Sequence, residues 1–349
     1  MRHGAWRLLA RLSAVAIVAC GSMHARAQIV VREFGSFHIG GQEAVLEGMP
    51  MREVTLTPGS QPLRVDPNGV FEAGQMYVQY IRLAEPKGRY PLLMWHGGGL
   101  SGVSWETKPD SKPGWQQFFV AAGHDVYVSD AVERGRAGWS RFPEIFRSEP
   151  FFRGKREAWY LYRIGPAEGW SRDPRLRKPF DGQQFPVEAY DQFSKQGVPR
   201  WATNDSATQA AYDALVRRVC PCVIIAHSQA GVFAYTAALN NPQLVKGLIA
   251  IEPSGAPAPD KIDFGRLKGI PHLIVFGDHL DKQALWTRLH INQQKYFDAL
   301  KDAGIPVDWF DLPRMGIKGN SHMLMMDRNS DQIAGLINDW MIGKGLASK

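Results

Sequence analysis

The sequence predicts an α/β protein with a mostly parallel sheet of about eight strands. Short apolar runs rich in β-branched residues alternate with helical patterns, and those runs suit a sheet covered on both faces. At 349 residues and 44% hydrophobic content, the chain can build one large core or two modest domains, and disorder is excluded.

The strand candidates are Met76 to Leu83, Pro91 to Trp95, Asp125 to Ser129, Cys222 to Ala226, Leu248 to Ile251, His272 to Phe276 and Val307 to Leu312. Helical patterns lie between and after them: Trp115 to Ala122, Thr208 to Val219, Gln229 to Leu239, Lys282 to Ala303 and Ser330 to Ile342. The alternation implies right-handed crossovers. No internal repeat, low-complexity tract or long charge block argues for a solenoid or a tail.

Residues 131–204 break the rhythm. No buried strand is legible there, yet the interval holds Trp139, Phe142, Phe146, Phe151, Phe152, Trp159, Tyr160, Tyr162, Trp170, Phe180, Phe185 and Trp201. A structureless loop of that length is improbable, so the interval is expected to form an aromatic-rich cap over the sheet's carboxyl edge. An insertion packed away from that edge is the alternative. The organisation is then a leader at 1–27, core at 28–130, cap at 131–204 and core again at 205–349.

The leader reads as an export signal. Arg2, Arg7 and Arg11 precede an apolar stretch from Leu12 to Cys20, and Ala25-Arg26-Ala27 offers a small-x-small cleavage site, which starts the mature chain at Gln28. A periplasmic or secreted protein follows. The rival reading takes Ile17-Val18-Ala19-Cys20 as a lipobox, with the chain anchored through a lipidated Cys20. Removing the leader leaves 37 basic against 34 acidic residues, a net charge of +3, which gives no reason to expect a nucleic-acid partner. No later segment has the ~18 consecutive apolar residues of a membrane span. Cys220 and Cys222, separated by Pro221, either pair across a strained short loop or sit as two small buried residues.

Three motifs carry chemistry. The first is Val223-Ile224-Ile225-Ala226-His227-Ser228-Gln229-Ala230-Gly231, an apolar run that turns at a serine into a helical pattern. A nucleophile elbow needs small residues two before and two after its serine, and Ala226 and Ala230 meet that need while departing from G-x-S-x-G. The bland alternative is a serine capping a helix.

The second motif is Tyr90-Pro91-Leu92-Leu93-Met94-Trp95-His96-Gly97-Gly98-Gly99, an apolar run ending in glycines. Acyl transfer places negative charge on a carbonyl oxygen, and backbone N–H groups must reach it unobstructed. Gly98, Gly99 and the N–H of Gln229 are the candidate oxyanion donors, and His96 is expected to be structural. Gly97-Gly98-Gly99-Leu100-Ser101-Gly102 also spells G-x-G-x-x-G. That dinucleotide motif requires a helix to follow at once, whereas Val103 to Lys112 is polar and flanked by Pro109 and Pro113.

The third is Gly319-Asn320-Ser321-His322-Met323, between the last strand candidate and the last helix, where a histidine can reach the elbow serine. His322 is the candidate general base and Ser228 the nucleophile. The acid has two candidates: Asp278 in Gly277-Asp278-His279-Leu280-Asp281, and Glu252 in Ile251-Glu252-Pro253-Ser254-Gly255.

HGGGLSG, AHSQAG, IEPSG, VFGDH and NSH, in this order from about residue 91 to 323, resemble a small family of bacterial, Alcaligenes-type esterases of the α/β-hydrolase fold. The resemblance implies a serine esterase acting through an acyl-enzyme, with Glu252 as the acid. The family's glycine-loop equivalent contains adjacent cysteines, so Gly98 and Gly99 imply that any redox feature of that loop is absent. No His-Glu-x-x-His or clustered metal-ligand pattern occurs, and no cofactor is expected. The substrate expected from the aromatic interval is a small-molecule ester carrying an apolar or aromatic group of appreciable size, with Trp139, Trp159 and Trp170 as candidate wall residues. A catalytically silent binding protein on the same fold, and a hydrolase of amides or carbon–carbon bonds, are the competing readings.

Overall fold

The computed structural model describes residues 28–348. The expected export signal and Cys20 lie outside them. An eight-stranded sheet forms the centre of the molecule. Along the chain come β1 (Val31–Leu46), β2 (Arg52–Val54), β3 (Leu63–Val65), β4 (Gly69–Leu83), β5 (Leu92–Trp95), α1 (Val103–Glu106), α2 (Trp115–Ala121) and β6 (Val126–Asp130). After two short helices, α3 (Lys155–Leu161) and α4 (Tyr190–Ser194), the regular alternation resumes with α5 (Asp205–Val219), β7 (Cys222–His227), α6 (Ala230–Asn240), β8 (Val245–Ile251) and β9 (His272–Phe276). The chain ends with α7 (Ala284–Asp302), β10 (Val307–Asp311) and α8 (Ser330–Gly343).

In space the strands run β1-β4-β6-β5-β7-β8-β9-β10, and β2 pairs with β3 in a separate ribbon. β1 with β4 and β4 with β6 are antiparallel, and every other pairing in the large sheet is parallel. All residues of β5, β7 and β9 are buried, because helices cover both faces. One face packs against α2 and α8 through Trp115, Phe119, Ile333 and Ile337; the other packs against α5, α6 and α7 through Leu215, Ala234 and Tyr296.

Every predicted strand is present, although β4 begins seven residues before the predicted Met76, and the eighth is β1. It escaped prediction because Gly35, Gly40 and Gly41 interrupt its pattern and it is exposed along much of its length. Gly40 has φ +71° and lies where a Cβ would stand 2.9 Å from the Cβ of Ala211, so the glycine lets α5 lie against the hairpin. Residues 131–204 contain α3, α4 and short 3₁₀ turns, with no named strand. Cys220 and Cys222 are joined by a disulfide.

Candidate active site

Because β5 through β10 run parallel, the loops leaving β5, β7, β8, β9 and β10 gather at one edge of the sheet. Those loops carry Gly97 to Gly99, Ser228, Glu252, Asp278 and His322 in turn.

Ser228 follows β7 at φ +54°, a left-handed conformation that a serine adopts only when its surroundings impose it. Ala226 and Ala230 on either side are buried. The oxyanion-loop candidate lies against the turn: a Cβ on Gly97 would stand 2.7 Å from Nδ1 of His227 and 3.0 Å from Cβ of Ser228. The N–H groups of Gly98, Gly99 and Gln229 have no acceptor among the described residues. The Gln229 side chain turns to Asp205, its Nε2 donating to Oδ1 at 3.3 Å. His96 donates from Nδ1 to the Gly97 carbonyl at 2.8 Å and accepts from the Ala131 N–H at Nε2 at 3.0 Å. Burial pushes it down to about 4, so it is a neutral brace.

His322 is almost wholly buried. Its Nδ1 lies 3.1 Å from Oε2 of Glu252. The imidazole is held between the Tyr162 ring, near-parallel at 5.7 Å, and the Trp286 ring of α7 at 4.1 Å. Its backbone N–H donates to the Tyr162 carbonyl, and its own carbonyl accepts from Nε2 of His227 at 2.9 Å. Burial pushes the His322 pKa down to about 4, against the pull of Glu252, so the imidazole is neutral and ready to accept a proton at neutral pH.

Glu252 was one of two acid candidates, and it is the one beside His322. It too has positive φ, +50°, and is completely buried. Oε1 accepts from Nη2 of Arg163 at 2.6 Å and from the Gly277 N–H at 2.5 Å; Oε2 accepts from Nη1 of Arg163 at 2.8 Å as well as from His322. Burial alone would raise its pKa, but the Arg163 charge and the hydrogen bonds hold it at about 2. Asp278 is turned elsewhere. Its Oδ2 accepts from the Gly319 N–H at 2.8 Å and its Oδ1 from the His279 N–H at 2.7 Å, so it braces the loop that presents His322.

Two contributors were missed in the sequence. Arg163 is a single arginine in an interval rich in them, and no local pattern marks it. Asp327 accepts from Ser321 N–H, Ser321 Oγ and Asn320 Nδ2, closing the turn around His322. The spacing Asn320-Ser321-x₅-Asp327 could have suggested it.

An open cleft of about 100 Å³ adjoins this centre, lined by Gly99, Leu100, Phe152, Tyr162, Phe193 and Val198 with Arg153 and Lys155 at its rim. The expected wall residues are not among its lining, which corrects that expectation. Trp159 is fully buried and donates from Nε1 to the Pro166 carbonyl; Trp139 is 56% exposed and packs edge-on to Trp201; Trp170 lines a separate depression with Arg172 and Asp191. Large aromatics in a strandless segment are needed for its own core, and three of them cluster as Trp159, Phe185 and Tyr190. Among the described residues, no group of three or more His, Cys, Asp or Glu side chains could hold a metal ion.

A solved structure described as that of a novel bacterial esterase superposes with a TM-score of 0.77, at 32% identity over 92% of this chain and 98% of that one. The chain belongs to this family of α/β-hydrolase esterases. As a member, it is a carboxylic ester hydrolase. The esterase is also 27% identical over 336 residues to a protein described as a probable secreted lipase, phiG, of Fungal sp., which covers 78% of this chain and 87% of that one. No protein-family profile matches the esterase. No described helix is long and apolar enough to cross a membrane.

Proposed function

We propose that the chain is an exported serine esterase that works through an acyl-enzyme, with Ser228 as nucleophile, His322 as general base and Glu252 as the acid that orients it. The observation that carries this reading is the Nδ1–Oε2 contact of 3.1 Å between His322 and Glu252, and a serine held at positive φ directly after β7 supports it. The carboxylate fixes the tautomer with the proton on Nδ1, which leaves Nε2 free to take the proton of the Ser228 hydroxyl. Ser228 Oγ then adds to the ester carbonyl. The N–H groups of Gly98, Gly99 and Gln229, free of internal acceptors, take up the charge on the carbonyl oxygen. His322 returns the proton to the leaving alcohol, and water releases the acid by the same steps in reverse order of proton transfer.

Residues 131–204 act in this reading as a cap. The cleft that they help to line is apolar along Leu100, Phe152, Tyr162, Phe193 and Val198, which favours an ester with an apolar or aromatic group on one side. The rim cations are already paired, Arg153 with Glu157 and Lys155 with Asp191.

A fluorophosphonate probe tests the nucleophile. In protein exported by a bacterial host, the probe is expected to add one adduct to the peptide carrying Ser228 and none to Ser228→Ala. The intact mass from the same sample should place the amino terminus at Gln28; a lipidated Cys20 would establish the anchored form instead. The cleft has its own test. Phe152 is 65% exposed, so Phe152→Ala should fold normally, yet raise KM for a bulky aromatic ester about fivefold while leaving an acetate ester unchanged. Equal changes for both esters would remove the cleft from substrate binding.

A further inference from the structure

The Arg163–Glu252 pair is the one ion pair among the described residues in which both side chains are wholly excluded from solvent. It is also a bridge. Arg163 lies just beyond α3, within residues 131–204, and reaches the loops after β8 and β9 at once, giving both Nη groups to Glu252 and Nε to the Asp278 carbonyl at 2.7 Å. The Trp286 ring that packs on His322 also lies under the guanidinium, 5.2 Å from it.

The backbone around Arg163 is fixed from several sides. Its φ is +54°; its N–H donates to the Tyr160 carbonyl, and its carbonyl accepts from Nε2 of Gln183 at 2.9 Å. A non-glycine residue in that conformation persists only where the structure around it over-determines it.

We propose that Arg163 is a positioning residue of the esterase: its planar fork, delivered by the inserted segment, fixes the orientation of Glu252 toward Nδ1 of His322. The inference rests on the triad reading above. Both carboxylate oxygens are engaged by the two ends of one rigid guanidinium, so rotation of the carboxylate away from His322 breaks two charge-assisted hydrogen bonds at once. A lysine supplies the charge without the fork.

Arg163 acts on His322 in a second way, with opposite sign. Its fixed positive charge opposes protonation of the imidazole, while Glu252 favours it. The other charged or titratable groups around the pair are His227 at the end of β7, Asp278 and His279 after β9, His290 on α7, Asp327 before α8 and Arg153 before α3. Removal of the guanidinium charge therefore moves the acid limb of kcat/KM upward if Glu252 stays ionised.

The test compares Arg163→Lys and Arg163→Met with wild type, reading kcat, KM, the acid limb of kcat/KM and the rate of fluorophosphonate labelling, with near-ultraviolet circular dichroism as the check on packing. Arg163→Lys is expected to lose at least tenfold in kcat with KM within about twofold, and to keep the acid limb within about half a pH unit of wild type. Arg163→Met is expected to lose about a hundredfold in kcat and to shift the acid limb upward by about one pH unit. Wild-type kcat and labelling rate in Arg163→Lys would overturn the fork's role. An unmoved acid limb in a folded Arg163→Met would overturn the electrostatic role, and if that variant does not fold, Arg163→Lys alone decides the proposal. Wild-type protein that takes no label would mark a failure of the triad reading itself, which is a different outcome from labelled variants that react at the wild-type rate.

Discussion

Replacing His322 with alanine is expected to lower kcat on a simple acetate ester by about 10⁶, with Ser228→Ala equally low and the double variant no lower. The reason is that in the proposed mechanism nucleophile and base act as one unit. Without an acceptor for its proton the Ser228 hydroxyl is a poor nucleophile, and without the hydroxyl the imidazole has nothing to activate. What remains in each case is binding and the contribution of the backbone N–H groups, which neither substitution touches. His322 is packed between Tyr162 and Trp286, so the alanine variant leaves a void, and thermal unfolding must accompany the kinetics. A folded His322→Ala protein that kept more than about one-hundredth of the wild-type kcat would remove His322 from the role of base.

Glu252→Gln is expected to lower kcat by about 10⁴, whereas Asp278→Asn should cost less than about tenfold. The amide of a glutamine can present its NH₂ toward Nδ1, which selects the wrong imidazole tautomer, and it cannot balance the imidazolium that forms during proton transfer. Asp278, by contrast, accepts backbone N–H groups from Gly319 and His279 and makes no contact with the imidazole, so an asparagine keeps one acceptor there. Glutamine at 252 also leaves the wholly buried Arg163 without a counter-charge, at a cost of about 3–5 kcal/mol, so the comparison belongs at a temperature where both variants remain folded. The reverse ranking of the two variants would make Asp278 the acid.

The centre of the sheet was legible because strands covered on both faces must be largely apolar runs, and five such runs stand out between Pro91 and Phe276, while Met76 to Leu83 and Val307 to Leu312 mix polar residues into half-buried strands. β1 obeys a different rule. It is antiparallel and half-solvated, and its three interior glycines erase the alternation that would have marked it. The candidate site was legible in its motifs, since an elbow, a glycine loop and a terminal histidine must each sit next to a strand end. Arg163 was not legible, because a residue that acts across 89 positions of sequence leaves no local spacing to read. The cleft lining was misread for a related reason. Large aromatics in residues 131–204 fill that segment's own interior as often as they face a substrate, and only packing separates buried Trp159 from Phe152 at the opening.

The placement of Arg163 also divides the esterase by local stability. Ser228 is anchored to β7, whose hydrogen bonds are shielded on both sides by β5 and β8, so its amides should be among the slowest to exchange with solvent. The guanidinium next to Glu252 comes from a segment whose longest helix is the seven-residue α3 and which has no strand pairing of its own beyond one isolated bridge. Such a segment opens at a lower free energy than the sheet. On heating, the enzyme should therefore lose activity reversibly several degrees before its far-ultraviolet circular dichroism changes, with residues 155–200 exchanging early and Ile224 to Ala226 late. Coincident midpoints for activity and circular dichroism would mean instead that the segment and the sheet unfold as one cooperative unit.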